Sequence, residues 1–362
     1  MINLSKKEKH SEDKPKKKIN LALKIAIIIV IIILVLVATI FVAGYIFLHS
    51  KLDKLNYVDL SKEQIYIDEK VEEDLEEYRN IALLGIDARA DTFDLGYRSD
   101  CIMIISINQK TNKVKIASVY RDIYMDVEGY GRDKITHAYA YGGPQLSLST
   151  LNKNLDLNIS EFVAVNFDTV RVAVNSIGGV TINVDDQEVK YINSYINALN
   201  KQFGTNSANI TVPGTYNLDG VQALAYSRIR YTAGGDYKRT ERMREVLTKA
   251  FDKAKSINVM ELNKLTDIIF PHISTNINKN EIINLLPKII NYDVTETFGW
   301  PYRVAGFEGK AWYGIPITLE NNVSELHKQL FNEENYIPSD TVKQISQDII
   351  NDTGYDMSIL DE

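Results

Sequence analysis

The sequence predicts an α/β protein with a central mixed β-sheet, helices on both faces of the sheet, and one N-terminal transmembrane helix. Three observations support this prediction. Residues 81–86 and 101–107 are continuous apolar runs, as expected of strands covered on both faces. From residue 162 onward, strand-like and helix-like patterns alternate. An apolar run over residues 25–48 has the length of a membrane span.

The N-terminal region has the composition of an uncleaved membrane anchor. Residues 1–20 contain seven lysines, and residues 25–48 would extend about 36 Å as a helix, more than the hydrocarbon core of a bilayer. The run is too long for the apolar region of a cleaved signal peptide. Only Lys51 and Lys54 follow it closely, so the positive-inside rule places the N-terminus in the cytoplasm and the chain after about residue 49 outside.

Composition then bounds the classes of function. Beyond residue 24 the chain carries 33 Lys plus Arg against 45 Asp plus Glu, so the exterior part is acidic and a poor general binder of nucleic acid. Cys101 is the only cysteine, which excludes an intramolecular disulfide. Because Cys101 lies in an apolar run with no histidine near it in sequence, we interpret it as a core thiol.

The elements of the exterior part follow in chain order. Residues 50–79 are charged and contain one short helical pattern, so we interpret residues 49–78 as a spacer. Strands are predicted at 80–86, 101–108 and 114–120, the last two forming a hairpin. Downstream we predict helices at 145–155, 167–177, 191–203, 219–226, 259–269, 280–290 and 321–331, and extended segments at 162–166, 180–184, 297–304 and 310–315. The last thirty residues are polar and receive no assignment.

Charged residues crowd the ends of the first three strands. Asp87 follows one strand, Arg98 and Asp100 precede the next, and Arg121 and Asp122 follow the third. In a hairpin, the end of one strand lies close to the start of its neighbour. We therefore expect Asp100 and Arg121 to share one edge of the sheet and to form the wall of a site.

Arginine is concentrated in one stretch of the chain. Five of the twelve arginines fall within seventeen positions: Arg228, Arg230, Arg239, Arg242 and Arg244. If the segment around Ile229 is extended, Arg228 and Arg230 project to the same side. Such a set of guanidinium groups needs anionic partners when it is buried.

A helix with one buried face is predicted from about Met243 onward, because apolar residues recur there at helical spacing. By helical phase, Arg239 and Arg242 lie on or beside the buried stripe, whereas Arg244 points away from it. Asp236 is the expected N-terminal cap.

Two interpretations of this arginine stretch remain open on spacing alone. The arginines could pair with Asp and Glu in a structural network, or they could bind a phosphate or pyrophosphate group, which suits the planar guanidinium fork. The sequence contains no HExxH, Walker A or GxSxG motif, and its histidines lack metal-ligand spacing, which disfavours a zinc enzyme. Carboxylates plus arginines are the set used for phosphoryl transfer.

Several ordered motifs resemble those of the LytR-CpsA-Psr family. They cover about residues 79–255 and, more weakly, extend to about 332. The matching motifs are Leu-Leu-Gly-Ile-Asp87, Arg98-Ser-Asp100-Cys-Ile-Met, Ala-Ser-Val-Tyr-Arg121-Asp122, Lys134-Ile-Thr-His-Ala-Tyr, and Leu218-Asp-Gly-Val-Gln-Ala-Leu-Ala-Tyr-Ser-Arg228-Ile-Arg230 through Asp236-Tyr-Lys-Arg239-Thr-Glu-Arg242.

The resemblance implies a membrane-anchored enzyme that transfers a glycopolymer, such as teichoic acid or capsule, from a polyprenyl-pyrophosphate carrier to peptidoglycan outside the cell. By that match Asp87 and Asp100 bind Mg²⁺, or Mn²⁺ in its place. The residues implied to contact the pyrophosphate are Arg98, Arg121, Arg228, Arg230, Arg239 and Arg242, with Arg121, Arg228 and Arg230 acting in catalysis. The match does not identify the residue that deprotonates the acceptor hydroxyl, for which Asp122 is the candidate. Residues 79–335 are then the catalytic domain, and residues 336–362 are a polar tail.

Two positions depart from the family pattern. Tyr120 stands where the family usually has proline, and Met243 stands where it has glutamine. Met cannot donate a hydrogen bond to a phosphate oxygen, so a contact from that position would be lost.

A non-catalytic, membrane-anchored binder or regulator of wall precursors, of the transcriptional attenuator type, is the alternative function. Such a protein would keep the arginines without needing both metal-ligand carboxylates. The presence of Asp87 and Asp100 together favours the enzyme. Nucleic-acid binding is disfavoured by the acidic exterior and by the predicted topology.

Overall fold

A computed structural model describes residues 44–47, 49–88, 93–308 and 311–360. The predicted basic tail (1–24) and most of the predicted transmembrane helix (25–48) lie outside these residues. Among the helices within them, none combines the length and apolar content needed to cross a membrane. The chain divides into units of residues 1–50 and 51–362, and the fold below is that of the second unit.

Thirteen strands are described in this unit. In chain order they are β1 (Asn56–Tyr57), β2 (Tyr78–Ile86), β3 (Ser99–Asn108), β4 (Lys113–Val119), β5 (Tyr124–Val127), β6 (Gly131–Lys134), β7 (Glu161–Asn166), β8 (Val180–Val184), β9 (Gly214–Leu218), β10 (Ile273–Thr275), β11 (Asp293–Trp300), β12 (Val304–Glu308) and β13 (Trp312–Pro316). Seven of them form the central sheet in the order β1-β10-β7-β2-β3-β4-β11. Strands β2, β3 and β4 are antiparallel neighbours, whereas β7 with β2 and β4 with β11 are parallel. The predicted mixed sheet is confirmed.

Ten α-helices surround these strands within the described residues. They are α1 (Glu69–Asp74), α2 (Ile135–Leu155), α3 (Phe167–Ser176), α4 (Asp186–Phe203), α5 (Gly220–Arg228), α6 (Gly235–Ala254), α7 (Val259–Ile269), α8 (Lys279–Leu285), α9 (Leu319–Phe331) and α10 (Asp340–Thr353). Both faces of the sheet are covered, as predicted. Leu84 and Ile104 pack in the cluster that contains Tyr139 of α2, and Met103 packs on the opposite face with Met243 of α6.

Helix α2 is longer than predicted. It begins at Ile135 rather than at residue 145, and it is kinked at Gly142 and Gly143. Gly143 has φ 63° and precedes Pro144, so this Gly-Gly-Pro segment interrupts the helix without ending it. The interruption explains why the sequence pattern indicated only the second half.

Two segments predicted to lie outside the core contribute to it. In the segment interpreted as a spacer (49–78), Ile65, Val71 and Leu75 are buried in the cluster that contains Leu84. The unassigned C-terminal segment forms α10, whose apolar residues Val342, Ile345 and Ile349 are buried. Both segments are mostly polar and contain few apolar residues. Apolar residues at helical spacing can nevertheless be buried together on one face of a helix.

A second, smaller core positions the arginine stretch. It lies among α3, α4, α5 and the β8–β9 hairpin, and it contains Val174, Ile196 and Leu224. Helix α4 begins earlier than predicted, at Asp186, because Asp185 and Glu188 form a capping box. Asp219 and Gln222 form another at the start of α5, which carries the chain to Arg228.

Candidate active site

One edge of the central sheet carries the charged residues that follow or precede β2, β3 and β4. The Asp87 amide donates to the Arg98 carbonyl oxygen at 3.0 Å, which holds the β2 and β3 ends together. The pairing of β2 with β3 is irregular next to Gly85 and Ile86, and Asp100 lies at this irregularity. Arg121 Nη1 lies 2.9 Å from Asp100 Oδ2. The predicted sharing of this edge by Asp100 and Arg121 is confirmed.

The opposite wall comes from the end of α5 and the start of α6. Arg228 is the last residue of α5, so the extended segment that would put Arg228 and Arg230 on the same side does not include Arg228. The capping box at Asp219 starts a helix that continues two residues beyond the predicted end, and the chain becomes extended only at Ile229. Arg228 is half-buried and Arg230 is exposed.

Asp236 has a different role from the predicted one. The N-cap of α6 is Gly234, whose φ of 88° is left-handed, and the Asp236 side chain makes no capping hydrogen bond. Its carboxylate instead lies 3.1 Å from Arg239 Nη2 and 3.7 Å from Arg121 Nε. Asp236 therefore links the helix to the sheet edge.

The pKa shifts of Arg228 and Arg239 reflect both their burial and the carboxylates near them. Burial lowers the pKa of Arg228, and the carboxylates of Asp87 and Asp100 oppose that effect. Burial also lowers the pKa of Arg239, against the opposing influence of Asp236. The guanidinium groups of Arg228 and Arg239 therefore lie where their charge is poorly solvated, and they favour additional negative charge.

Arg121 is the best-compensated cation of the cluster. Burial acts to lower its pKa, but the carboxylates of Asp100, Asp236 and Asp122 raise it overall. Asp122 is also held by Lys134, whose Nζ lies 2.7 Å from Asp122 Oδ1. Arg121 thus joins the acidic residues of the sheet edge to those beside α6.

Several buried N–H groups in this region lack acceptors within the described residues. They are Nε of Arg239 and both Nε and Nη1 of Arg244. A buried donor without a partner is unfavourable, so such groups mark a place where a ligand or water accepts hydrogen bonds. The same feature shows that Arg244 belongs to the buried side of α6.

The prediction that Arg244 points away from the buried stripe is wrong. Arg244 is only 7% exposed, and its pKa is lowered first by burial. Tyr120 and Cys101 lie near its guanidinium. Helix α6 packs both on the sheet side and against α5, and a single amphipathic stripe cannot describe a helix that is covered on two sides. Sequence reasoning missed Arg244 for this reason.

Arg242 is bound to protein acceptors on all sides of its fork. Its Nε donates to Glu188 at 2.7 Å, its Nη1 donates to the Ile229 carbonyl at 2.9 Å, and its Nη2 donates to the Thr232 hydroxyl at 2.8 Å. Glu188 in turn accepts from the Asp185 amide at 2.9 Å. This network ties α6 to α4 and to the loop that carries Arg230, which is the structural ion-pair interpretation left open by the sequence.

The two remaining arginines lie at the rim. Arg98 is exposed, and no carboxylate contacts it in the part of the chain that the structure describes. The Arg230 guanidinium lies 5.5 Å from the centre of the Tyr231 ring. It is also close enough to Arg121 for that charge to act to lower the pKa of Arg230. Both side chains face solvent, Arg98 near Tyr141 and Arg230 near Arg121.

An apolar cavity of about 210 Å³ lies beside the arginines, between the sheet and α6. Its lining residues include Cys101, which follows Asp100, and Ser227, which precedes Arg228. Met243 also lines it and packs in the apolar cluster with Met103. Burial raises the pKa of the Cys101 thiol to about 12, which favours the protonated form and agrees with its interpretation as a core thiol.

Within the described residues, no group of three or more His, Cys, Asp and Glu side chains is arranged to hold a metal ion. The carboxylates of Asp87 and Asp100 both influence the Arg228 guanidinium, whose pKa they act to raise. The arrangement is thus a set of carboxylates and incompletely paired arginines at the mouth of an apolar cavity.

Fold and site together define an α/β protein with a cluster of arginines and carboxylates at one edge of its central sheet. The chain belongs to the LytR_cpsA_psr family, whose model matches residues 45–317. Bacillus subtilis (strain 168) TagT, a polyisoprenyl-teichoic acid–peptidoglycan teichoic acid transferase, is 32% identical over 261 residues, covering 70% of this chain and 76% of that protein. Oceanobacillus iheyensis TagU, of the same named activity, is 32% identical over 249 residues, covering 66% and 70%. A solved structure of the family protein YwtF (TagT) with bound octaprenyl pyrophosphate lipid aligns with a TM-score of 0.51 and 25% identity, covering 82% of this chain and 100% of that one.

Proposed function

We propose that this protein is a phosphotransferase that moves a glycopolymer from a polyprenyl-pyrophosphate carrier to peptidoglycan, with release of polyprenyl phosphate. The observation that carries this proposal is the arginine cluster, whose buried N–H groups lack protein acceptors and lie beside an apolar cavity. A lipid pyrophosphate has matching parts, an anionic head and an apolar chain. The named activity of TagT and TagU and the lipid in the YwtF structure support the same chemistry.

In the reaction, a hydroxyl of the acceptor attacks the phosphorus that carries the glycopolymer. A new P–O bond forms to the acceptor, and the bond to the bridging oxygen breaks, so polyprenyl phosphate leaves with its electron pair. Arg121, Arg228 and Arg239 hold the pyrophosphate and stabilise the charge that develops on the leaving phosphate. Arg98 and Arg230 add positive charge at the rim.

The acceptor hydroxyl must also lose its proton. Asp122 is the candidate base, since its carboxylate lies 3.2 Å from Arg121 Nε and is held on its other side by Lys134. An acceptor hydroxyl that approaches Arg121 therefore meets the Asp122 carboxylate.

The carboxylates of Asp87 and Asp100 fit a Mg²⁺ ion, or Mn²⁺ in its place. Carboxylate and phosphate oxygens are the ligands that Mg²⁺ prefers, and both carboxylates act on Arg228 at the same sheet edge. When bound, the ion would withdraw charge from the phosphate oxygens. The apolar cavity would take the first part of the polyprenyl chain.

The proposed location is the outer face of the cell membrane, with residues 25–48 as a single span, the N-terminus in the cytoplasm and the catalytic domain outside. The apolar character and length of that run support this placement. The acceptor, peptidoglycan, is found on the same side.

The test uses the full-length protein in detergent with Mg²⁺, a lipid-pyrophosphate-linked glycan and peptidoglycan. We expect polyprenyl phosphate to be released in step with attachment of glycan to the acceptor, as measured by chromatography of the lipid product. Binding of the lipid without turnover would contradict the proposal and would indicate a binder of wall precursors instead.

A further inference from the structure

A second cavity, of about 430 Å³, is lined in part by Asp122 and Asp236, the two carboxylates beside Arg121 Nε. We name it the aromatic groove. Its walls are Tyr120, Asp122, Ile123, Gly234, Gly235, Asp236, Tyr237 and Trp312. The groove thus combines three aromatic rings with two carboxylates, and nothing in the proposed donor chemistry uses the aromatic rings.

The carboxylates connect the aromatic groove to the arginine cluster. Arg121 Nε lies 3.2 Å from Asp122 and 3.7 Å from Asp236, and Arg121 Nη1 contacts Asp100. One guanidinium therefore forms the boundary between the groove and the carboxylates of the sheet edge. A ligand in the groove would lie directly beside a phosphate bound by Arg121.

Trp312 is held in a fixed orientation while it remains exposed. It is 40% exposed, whereas the other tryptophan, Trp300, is fully buried. Its indole packs on two paired glycines of the β12–β13 hairpin, since a Cβ added at Gly306 would lie 2.7 Å from Trp312 Nε1 and one at Gly314 would lie 3.4 Å from the ring. An exposed ring that rests on bare backbone is arranged in advance to stack against a ligand.

The β12–β13 hairpin, which carries Trp312, makes backbone contacts with Asp122 and Ile123. The Gly314 amide donates to the Asp122 carbonyl at 3.0 Å, and Gly314 also forms a bridge with Ile123. On the facing wall, the rings of Tyr120 and Tyr237 lie 4.4 Å apart. The positions of the aromatic walls are therefore set relative to Asp122, the candidate base.

This combination of groups selects for a sugar. The face of a pyranose ring presents weakly positive C–H groups, which suit the negative face of an aromatic ring, and its hydroxyls donate to carboxylates. An anionic group would be repelled by Asp122 and Asp236. The groove therefore suits an uncharged polyhydroxylated ligand rather than a second phosphate.

We infer that the aromatic groove binds a sugar ring of the acceptor glycan strand, with Trp312 as the stacking platform that brings the acceptor hydroxyl to Asp122 and Arg121. The inference rests on the proposed function, because it assigns the acceptor side of the same reaction. Trp312 is on this account a specificity-determining residue, and it takes no part in donor binding.

The experiment measures binding of peptidoglycan glycan fragments that lack stem peptides to the full-length protein by calorimetry. Trp312→Ala is expected to weaken binding about tenfold, and Trp312→Phe, which keeps a ring, by much less. Tyr57→Ala is the control, because Tyr57 is 54% exposed on β1 at the far end of the sheet. In the transfer assay, Trp312→Ala should raise the apparent KM for acceptor by a similar factor and leave the KM for donor unchanged.

Tryptophan fluorescence gives an independent reading. Glycan fragments should change the emission of the wild type but not of Trp312→Phe, which retains only buried Trp300. Equal glycan affinity of wild type and Trp312→Ala, no glycan binding by the wild type, or binding of free stem peptide in place of glycan would each overturn the inference. Glycan binding that depends on Trp312 without any transfer would support the groove and refute the transferase, so the two failures are distinguishable.

Discussion

Two of the buried arginines of α6 differ in what surrounds their guanidinium groups. Arg242 gives hydrogen bonds to Glu188, Ile229 and Thr232, whereas Arg244 keeps Nε and Nη1 without acceptors in the described chain. Because Arg242 is buried, its network is stabilising only while every one of these hydrogen bonds is present. The unpaired buried donors of Arg244 are unfavourable unless a ligand or water accepts their hydrogen bonds. The hydrogen-bond partners of a buried arginine, rather than its degree of burial, therefore distinguish a structural arginine from one that is available to a ligand.

This difference predicts opposite effects of the same substitution. Arg242→Met leaves Glu188 buried without a cation, so it should lower the free energy of unfolding by about 3–5 kcal/mol. Arg244→Met replaces a poorly solvated guanidinium with an apolar side chain of similar volume. It should raise the free energy of unfolding by about 1 kcal/mol and weaken donor binding. Urea denaturation of the two variants checks this. A large loss of stability in Arg244→Met would show that its guanidinium is structurally paired.

The residues that depart from the family pattern occupy different surroundings. The Tyr120 amide donates to the Trp300 carbonyl at 3.0 Å, a bond that the family's usual proline could not make, and its ring forms a wall of the aromatic groove. Met243 packs with apolar side chains at the cavity beside α6. Met243 thus extends the apolar lining at a position where a glutamine would place a polar group.

At the scale of elements, the sequence patterns were most informative where one face or both faces of an element are uniformly buried. Strands β2, β3 and β4, strand β8 and helix α7 lie within two residues of their predicted positions, since period and turn composition determine them locally. The meeting of Asp100 with Arg121 followed from hairpin geometry. Three features depend instead on contacts between elements far apart in sequence, which the periodicity of a segment does not describe. They are the burial of Arg244, the end of α5 at Arg228 and the pairing of Arg242 with Glu188.

Helix α10 shows the same limit and gives a test of its importance. Ile349 is 1% exposed, so Ile349→Ala should lower the free energy of unfolding by about 2–5 kcal/mol. Ile337, three residues before the helix begins and 76% exposed, provides the control, and Ile337→Ala should change stability by less than about 0.5 kcal/mol. Equal and small effects in thermal or urea unfolding would mean that α10 contributes little to the core.

At the scale of the folded unit of residues 51–362, three separate parts of the chain meet around Arg121. The sheet edge supplies Asp87 and Asp100, the α5–α6 region supplies Arg228 and Arg239, and the β12–β13 hairpin supplies Trp312 of the aromatic groove. The chain carries a formal net charge of −7, so the arginine cluster is a local concentration of cations in an acidic protein.

The central claim is that the arginine cluster holds the pyrophosphate during transfer, and Arg228 tests it most directly because its guanidinium is influenced by both Asp87 and Asp100, the proposed metal ligands. The measurement is single-turnover release of polyprenyl phosphate from a lipid-pyrophosphate-linked glycan by the full-length protein. Arg228→Ala should lower the rate about a hundredfold or more, with exposed Arg303→Ala as the matched control at the wild-type rate. Turnover by Arg228→Ala at the wild-type rate would contradict the account.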